Sequence, residues 1–561
     1  MVRDTTANAG FVYSLQDKNV AAAPEQTFTE ITSLENNQEL DLAGNPSTYE
    51  GVDGDDGDEV EEVLRLPSFD VDTINELDFL FQVSEIPIDQ GFLQQDQESG
   101  LTIYDARPLS IDPMSTLGPL ERSLLNHYIN QAVRITSTSA YTADEICRFI
   151  IPRCMEAPSL LYATMAWSAV HLRAVGGLMD KPNDLVLDLQ LRSIRHLQSE
   201  LEGLTPSSHS VTLATTRTLC QTQIFAGEHK WRTHLTGAKA VMEAVIGRVQ
   251  RASSSSITSN SMPRITSKDK EAVADAGDFL NSWYDNIEAL SSLMPTGSSR
   301  HQLEYTDQTP TITSFTAFAN ADSIFFDHFG GLASDIPALL RHVAIMVRER
   351  RQLASSQSGY IEPSRLEVLD HFPYEATNTS FASEIDLFTA VDQLEMAIIH
   401  RLASPMPSRL SNGTVLSDVF SESEMRDYEN SNRAFLHTAL LHLRCSVRQF
   451  PICSYEVQSC VDAIVECADG MTPTTWKGGD GGLSPRVLFL TPLFTAGCRA
   501  VGQEMRDRVR AALSDIQKWM RTPHTDQAVG LLEAVWANGD DISEEMILET
   551  LEQYGPDFMP Y

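Results

Sequence analysis

From about Ser115 to the end of the chain, apolar residues recur every three or four positions, the spacing that lines them up on one face of a helix. In DLVLDLQLRSIRHLQSELEG, Leu187, Leu191, Ile194 and Leu201 mark one such face, and Gly203 is a stop signal. After Phe381 the stripe is Leu387, Val391, Leu394, Ile398 and Leu402. Near the end it is Val501, Met505, Val509, Ala512, Ile516 and Met520, with Arg506, Asp507, Arg508 and Arg510 mostly off it. The segment from Gly118 to Gly176 is the most apolar of these helical stretches. No series of period-two strands and no βαβ alternation breaks the pattern, so the predicted fold class is all-α.

Polar stretches divide the helices. RASSSSITSNSMPRITSKDK, Arg251 to Lys270, is Ser-rich and short of large apolar groups, and reads as a mobile surface insertion. Further breaks are expected near Ala354–Gly359, Ser404–Asn412 and Met471–Ser484. No fixed-period repeat of the solenoid kind is visible. The expected organisation is an acidic segment over 1–114 and one helical domain over 115–561.

Residues 1–114 carry few aromatic groups and many Asp, Glu, Gln and Asn, including GVDGDDGDEVEEV. Such a segment buries too little apolar area to offset its ordering entropy, and a largely disordered tail is predicted. One part differs. Over 69–89, Ile74, Leu77, Phe79, Leu80, Phe81 and Val83 alternate with Asp72, Glu76, Asp78 and Glu85. Leu77 and Phe81 are four apart and Ile74 lies one turn earlier, so a short amphipathic helix forms readily against a partner. Interleaved acids and aromatics of this kind are typical of transcriptional activation segments. The alternative is a stretch that packs on the domain that follows.

Composition narrows the options further. The apolar fraction is 42% and the formal net charge is −37. From Met1 to Asp112 there are 25 acidic residues against four basic ones, so the first fifth of the chain holds more than half of that charge. A polyanion is repelled by nucleic-acid backbones and by anionic membrane surfaces, which argues against autonomous tight DNA binding and against a membrane site. No apolar run approaches the ~18 residues a membrane span needs, and the first ten residues lack the apolar core of a signal peptide. The eight cysteines, Cys147, Cys154, Cys220, Cys445, Cys453, Cys460, Cys467 and Cys498, lie on helical-looking stretches and read as reduced and buried. A soluble protein of the cytosol or nucleus is expected.

Candidate chemistry is sparse. There is no GxSxG, HExxH, P-loop or GxGxxG. Asp540–Asp541 in NGDDISEE resembles the start of a magnesium-binding motif, but Asp541 or Ser543 as a helix cap is the simpler reading. Lys477-Gly-Gly-Asp-Gly-Gly482 suits an anion-binding loop or a plain linker. His127, His171 and His234 sit in apolar helical stretches, where a hydrogen-bonded structural histidine competes with a ligand or proton shuttle. Tyr162, Met165, Trp167 and Leu172 form a stripe that either lines a pocket for an apolar effector or packs the core. Arg348-Glu-Arg-Arg351 is a nuclear-import candidate or a cationic cap on the helix holding Ala344 and Met346. Cys445, Cys453, Cys460 and Cys467 are spaced eight, seven and seven apart, which suits packing and not a compact zinc chelate. No catalytic residue, cofactor site or metal site is assigned.

Several blocks, in order, carry a resemblance. They are LLNHYINQAVRI, APSLLYATMAWSAVHL, LRSIRHLQSEL, WRTHLTGAKAVMEAV, FLNSWYDNIEALSSLM, FFDHFGGLASDIPALLRHVAIM, HTALLHLRCSVRQFP, RVLFLTPLFTAGCRAVGQEMRDRVRAAL and LLEAVWANGD. Residues from about Leu117 to Tyr561 thereby resemble the regulatory domain of the fungal zinc-cluster transcription factors, the second of the two common fungal-specific transcription factor domain families. The resemblance implies a helical regulatory domain with no catalytic residues to transfer. Family members usually begin with a six-cysteine cluster that binds two zinc ions and reads DNA, which needs closely paired CxxC thiolates. This sequence has no CxxC and no cysteine before Cys147. Either another regulator makes the DNA contact, or a zinc-cluster exon lies upstream of Met1.

The expected function is therefore a nuclear transcription regulator, an activator or co-activator of a pathway-specific gene set, with secondary-metabolite clusters as a setting by family habit. Its expected partners are other transcription regulators and coactivators and a small-molecule effector, with DNA reached only indirectly and no membrane. The alternatives are an all-α enzyme and a metabolite-binding module without output of its own.

Overall fold

A computed structural model describes residues 117–177, 184–202, 209–228, 230–242, 267–294, 324–358, 383–472, 485–555 and 557–561. The acidic segment with its motif near 69–89, the stop at Gly203, most of the Ser-rich insertion and the Gly-rich run Lys477–Gly482 lie outside these residues.

The described residues are helical almost throughout, as the apolar spacing predicts. In chain order the helices are α1 Pro119–His127, α2 Ala140–Glu156, α3 Pro158–Ala174, α4 Asp184–Glu202, α5 His209–Ala226, α6 over 231–242 and α7 Ser267–Leu293. After a two-residue hairpin, β1 Phe326–Asp327 and β2 Leu332–Ala333, come α8 Ile336–Ser358, α9 Glu384–Ala403, α10 Glu422–His442 and α11 Tyr455–Asp469. The last are α12 Leu490–Gly497, α13 Gln503–Met520, α14 Pro523–Trp536 and α15 Glu544–Tyr554.

Helices without a polar face lie in the middle. In α3, Ser159, Leu160 and every residue from Ala163 to His171 are buried, and α4 and α5 pack along it. In α5 everything from Thr212 to Phe225 is buried. Its threonines are tolerated there because Thr216, Thr218 and Thr222 donate their hydroxyls to carbonyls one turn back, at 2.8, 2.8 and 2.7 Å. One continuous apolar core runs from Leu124 on α1 to Met559 after α15. A smaller cluster of Phe326, Leu410, Leu416, Phe420 and Tyr428 sits under the hairpin.

The stripe on α9 falls where the spacing puts it, with Leu402 half-buried. On α13 the spacing finds part of the face, since Met505 and Ala512 are half-buried, Val501 precedes the helix, and Leu513 and Trp519 are buried instead. Leu387, Val391, Leu394 and Ile398 are fully buried, as are Val509, Ile516 and Met520. The face chosen on α4 does not hold. Leu187 is exposed, and the buried residues are Val186, Leu189, Gln190, Ser193 and Leu197. The reason is close packing on α3. The small Ser193 donates its hydroxyl to the Ser159 carbonyl at 2.7 Å, and Glu200 accepts from the Ser159 amide at 3.2 Å, holding the first turn of α3. Two loop boundaries also shift. The helix α7 already begins at Ser267, inside the expected insertion, and α8 continues through Ala354 to Ser358.

The hairpin turn depends on Gly331, whose φ of +69° is left-handed. Asn432 on α10 pins it, accepting from the Ala333 amide at 2.7 Å and donating to the Gly331 carbonyl at 3.3 Å. A methyl group at 331 would run into the Leu488 side chain. Gly331→Ala is therefore expected to lower stability by roughly 2 kcal/mol through strain and overpacking together. Urea unfolding followed by circular dichroism measures this, and an unchanged midpoint would refute it.

Candidate functional site

The residues singled out in the sequence do not converge on one site. His127 Nε2 and His171 Nδ1 are 2.9 Å apart, with the rings stacked at 5.0 Å. Burial lowers both imidazoles, His171 to about 4 with His127 also contributing, so they pair as neutral donor and acceptor. His234 is buried and lowered to about 4 by desolvation. Met165 and Trp167 are core residues, with Trp167 against Phe225 at 4.8 Å. Tyr162 is half-buried and stacks on His196 at 5.5 Å. Tyr162 and Leu172 are half-buried against the same core, so the stripe packs.

Ser543 caps α15, accepting from the Met546 amide at 3.2 Å, while the exposed Asp540 pairs with Arg506 at 2.6 Å. The four closely spaced cysteines do not share one environment. Cys445, Cys460 and Cys467 are buried and Cys453 is exposed, against the expectation that all would be buried. Cys147 is half-buried. Arg348 to Arg351 lie inside α8, seven or more residues before its end, so they do not cap it. Arg350 instead bonds Glu384 at 2.6 Å. Among the described residues, no three His, Cys, Asp or Glu side chains gather as a metal ligand set.

The arrangement with most chemistry is one the sequence does not signal. It is a cleft between the end of α10, the end of α12, the start of α15 and the middle of α8. At its end α10 widens into a π turn, Leu443–Val447, which carries Ser446 beside His442 on the side facing α15. Beyond α12 the chain turns and presents Arg499, whose Nη1 bonds back to the Thr495 carbonyl at 3.1 Å. At the first position of α15, Glu544 meets Arg499 in a two-pronged bond, with Nε to Oε2 at 3.0 Å and Nη2 to Oε1. Ser446 donates to the same carboxylate at 2.7 Å. The position is favourable, because a helix N-terminus attracts negative charge. The apolar wall is Leu293, Met294, Val347, Phe494, Ile547, Leu548 and Leu551, and Arg351 stands exposed at the rim.

Burial opposes charge on both members of the pair, but each outweighs it for the other. Glu544 is held below the usual carboxylate range by Arg499 and Ser446, and Arg499 above its ordinary value by Glu544. Burial, with Arg499 nearby, pushes His442 down to about 3, while burial raises the Cys445 and Cys498 thiols to about 12 against the opposing pull of Arg499. The imidazole is a weak base, the carboxylate is already neutralised, and the thiols stay protonated. This chemistry suits binding, and does not suit nucleophilic attack.

A sequence model described as the fungal specific transcription factor domain matches residues 123–557. No curated protein and no solved structure matches the chain. The match takes in about three quarters of the sequence and runs from within α1 through α15, so it includes every wall of the cleft. The chain belongs to the fungal specific transcription factor domain family, a family of transcription regulators.

Proposed function

We propose that this protein activates or co-activates a pathway-specific gene set in the nucleus by recruitment. In this reading the helical body holds a DNA-binding partner, and the acidic segment contacts the transcription machinery. The observation that carries it is the match over 123–557 joined to a net charge of −37 concentrated before residue 113. Charge supports the indirect route to DNA, because duplex affinity rests largely on Lys and Arg displacing counterions. A tight complex between the purified protein and a promoter fragment, with no added partner, would contradict that route.

Recruitment is tested by fusing residues 60–114 to a foreign DNA-binding domain upstream of a reporter. Output several-fold above background is expected, and replacing Phe79, Leu80 and Phe81 by Ala should abolish it. Neutral replacements over Asp53–Asp58 should matter less, since they leave the apolar groups that enter a coactivator groove. An inert fusion removes the mechanism.

A further inference from the structure

The cleft holds two buried polar atoms with no protein partner. His442 is 6% exposed and its Nε2 makes no hydrogen bond, and Thr495 is 2% exposed and its Oγ1 makes none. Both residues line the same cavity of about 30 Å³. Orphaned polar atoms cost roughly 1–3 kcal/mol each, so a pair of them in one cavity marks a place where a polar group belongs. The volume decides its size. It admits a water or two or one small polar head group, leaving a short chain against the apolar walls of the open cleft, and it excludes a drug-sized body.

Charge decides its kind. Arg499 and Glu544 pair with each other, and Arg351 adds a second cation at the rim, with Glu544 and the exposed Glu552 as its acidic neighbours. Thr495 and the Nε2–H tautomer of His442 both donate. Donors on the inside, a guanidinium at the mouth and aliphatic walls beside them match a carboxylate on a short alkyl body. We infer that this cleft binds a small aliphatic monocarboxylate as an effector, an inference that rests on reading the helical body as a regulatory domain.

The test uses the full chain and sodium propionate, with propionamide as the uncharged isostere and sodium chloride at equal ionic strength. Propionate should raise the melting temperature saturably, by about 2 °C at tenfold excess over Kd, and propionamide should not. Thr495→Val removes an unused hydroxyl at similar volume, and His442→Phe removes the ring nitrogen. Each should keep a cooperative melt and lose the propionate shift. No shift up to about 50 mM, an equal shift with propionamide, or a shift that survives Thr495→Val would overturn the inference. Transcript levels in a deletion strain report on the regulatory role separately: many transcripts lost together with no propionate binding would refute the site and leave the regulator.

Discussion

Acidification below pH 6 is expected to unfold the helical body steeply, well before most carboxylates titrate. His171, His234, His442 and His524 are all buried, and burial pushes them to about 4, 4, 3 and 4. In the unfolded chain each returns to ~6.5. The folded state thus refuses a proton that the unfolded state accepts. Stability from this source is complete above pH ~6.5 and is lost as the pH falls toward the folded values. One proton bound only on unfolding changes stability by about 1.4 kcal/mol per pH unit, so four make a slope on the order of 5 kcal/mol per unit near pH 5. Against a total stability of roughly 5–15 kcal/mol, a single unit is decisive. Asp327 runs the other way, because burial raises its carboxyl and protonation relieves that cost at low pH, but it is one group against these four and His437, which burial also lowers to about 4. Circular dichroism between about pH 7 and 4, with proton uptake measured on urea unfolding near pH 5.5, provides the check. A signal flat across that range, or uptake below about two protons, would remove the explanation. Replacing His234 by Gln should take about one proton out of the slope.

Periodicity within one helix reaches only as far as that helix. On α9 a single apolar stripe offers one way to bury the helix, and the spacing finds it; on α13 it finds Val509, Ile516 and Met520 and misses Leu513 and Trp519. On α4, leucines at 185, 187, 189 and 191 offer two faces. What decides between them is a small serine opposite another serine on α3, a contact between helices that periodicity within one helix does not encode. The histidines at 127 and 171 read as structural, and their partner proves to be each other, 44 positions apart. The cleft was illegible for a stronger reason. His442, Arg499 and Glu544 come from three helix ends about 50 residues apart, with no fixed spacing to betray them. One hint existed. The capping serine at 543 fixes where α15 begins, and the residue after it, Glu544, is thereby placed where a carboxylate is favoured.

Removing the Glu544 carboxylate should be the most damaging single change in the cleft. Arg499 is 4% exposed, and its only acidic partner among the described residues is Glu544. Truncation to Ala leaves that guanidinium buried without a counter-charge, and breaking one side of such a pair typically costs about 3–5 kcal/mol. The helix-end position adds only ~0.5 kcal/mol, so a large loss cannot come from the dipole of α15 alone. The pair itself need not be worth as much, because bringing both charges out of water was costly in the first place. Arg499→Met combined with Glu544→Ala should therefore be more stable than Glu544→Ala alone, despite carrying one more substitution. Glu544→Gln should fall between, keeping hydrogen-bond capacity for Ser446 and Arg499 but not the charge. Urea midpoints for the parent, Glu544→Ala, Arg499→Met and the double variant complete the cycle, with Glu544→Gln measured beside them. If Glu544→Ala lies within about 1 kcal/mol of the parent, or the double variant is weaker by the sum of the singles, Arg499 is being neutralised by something other than Glu544.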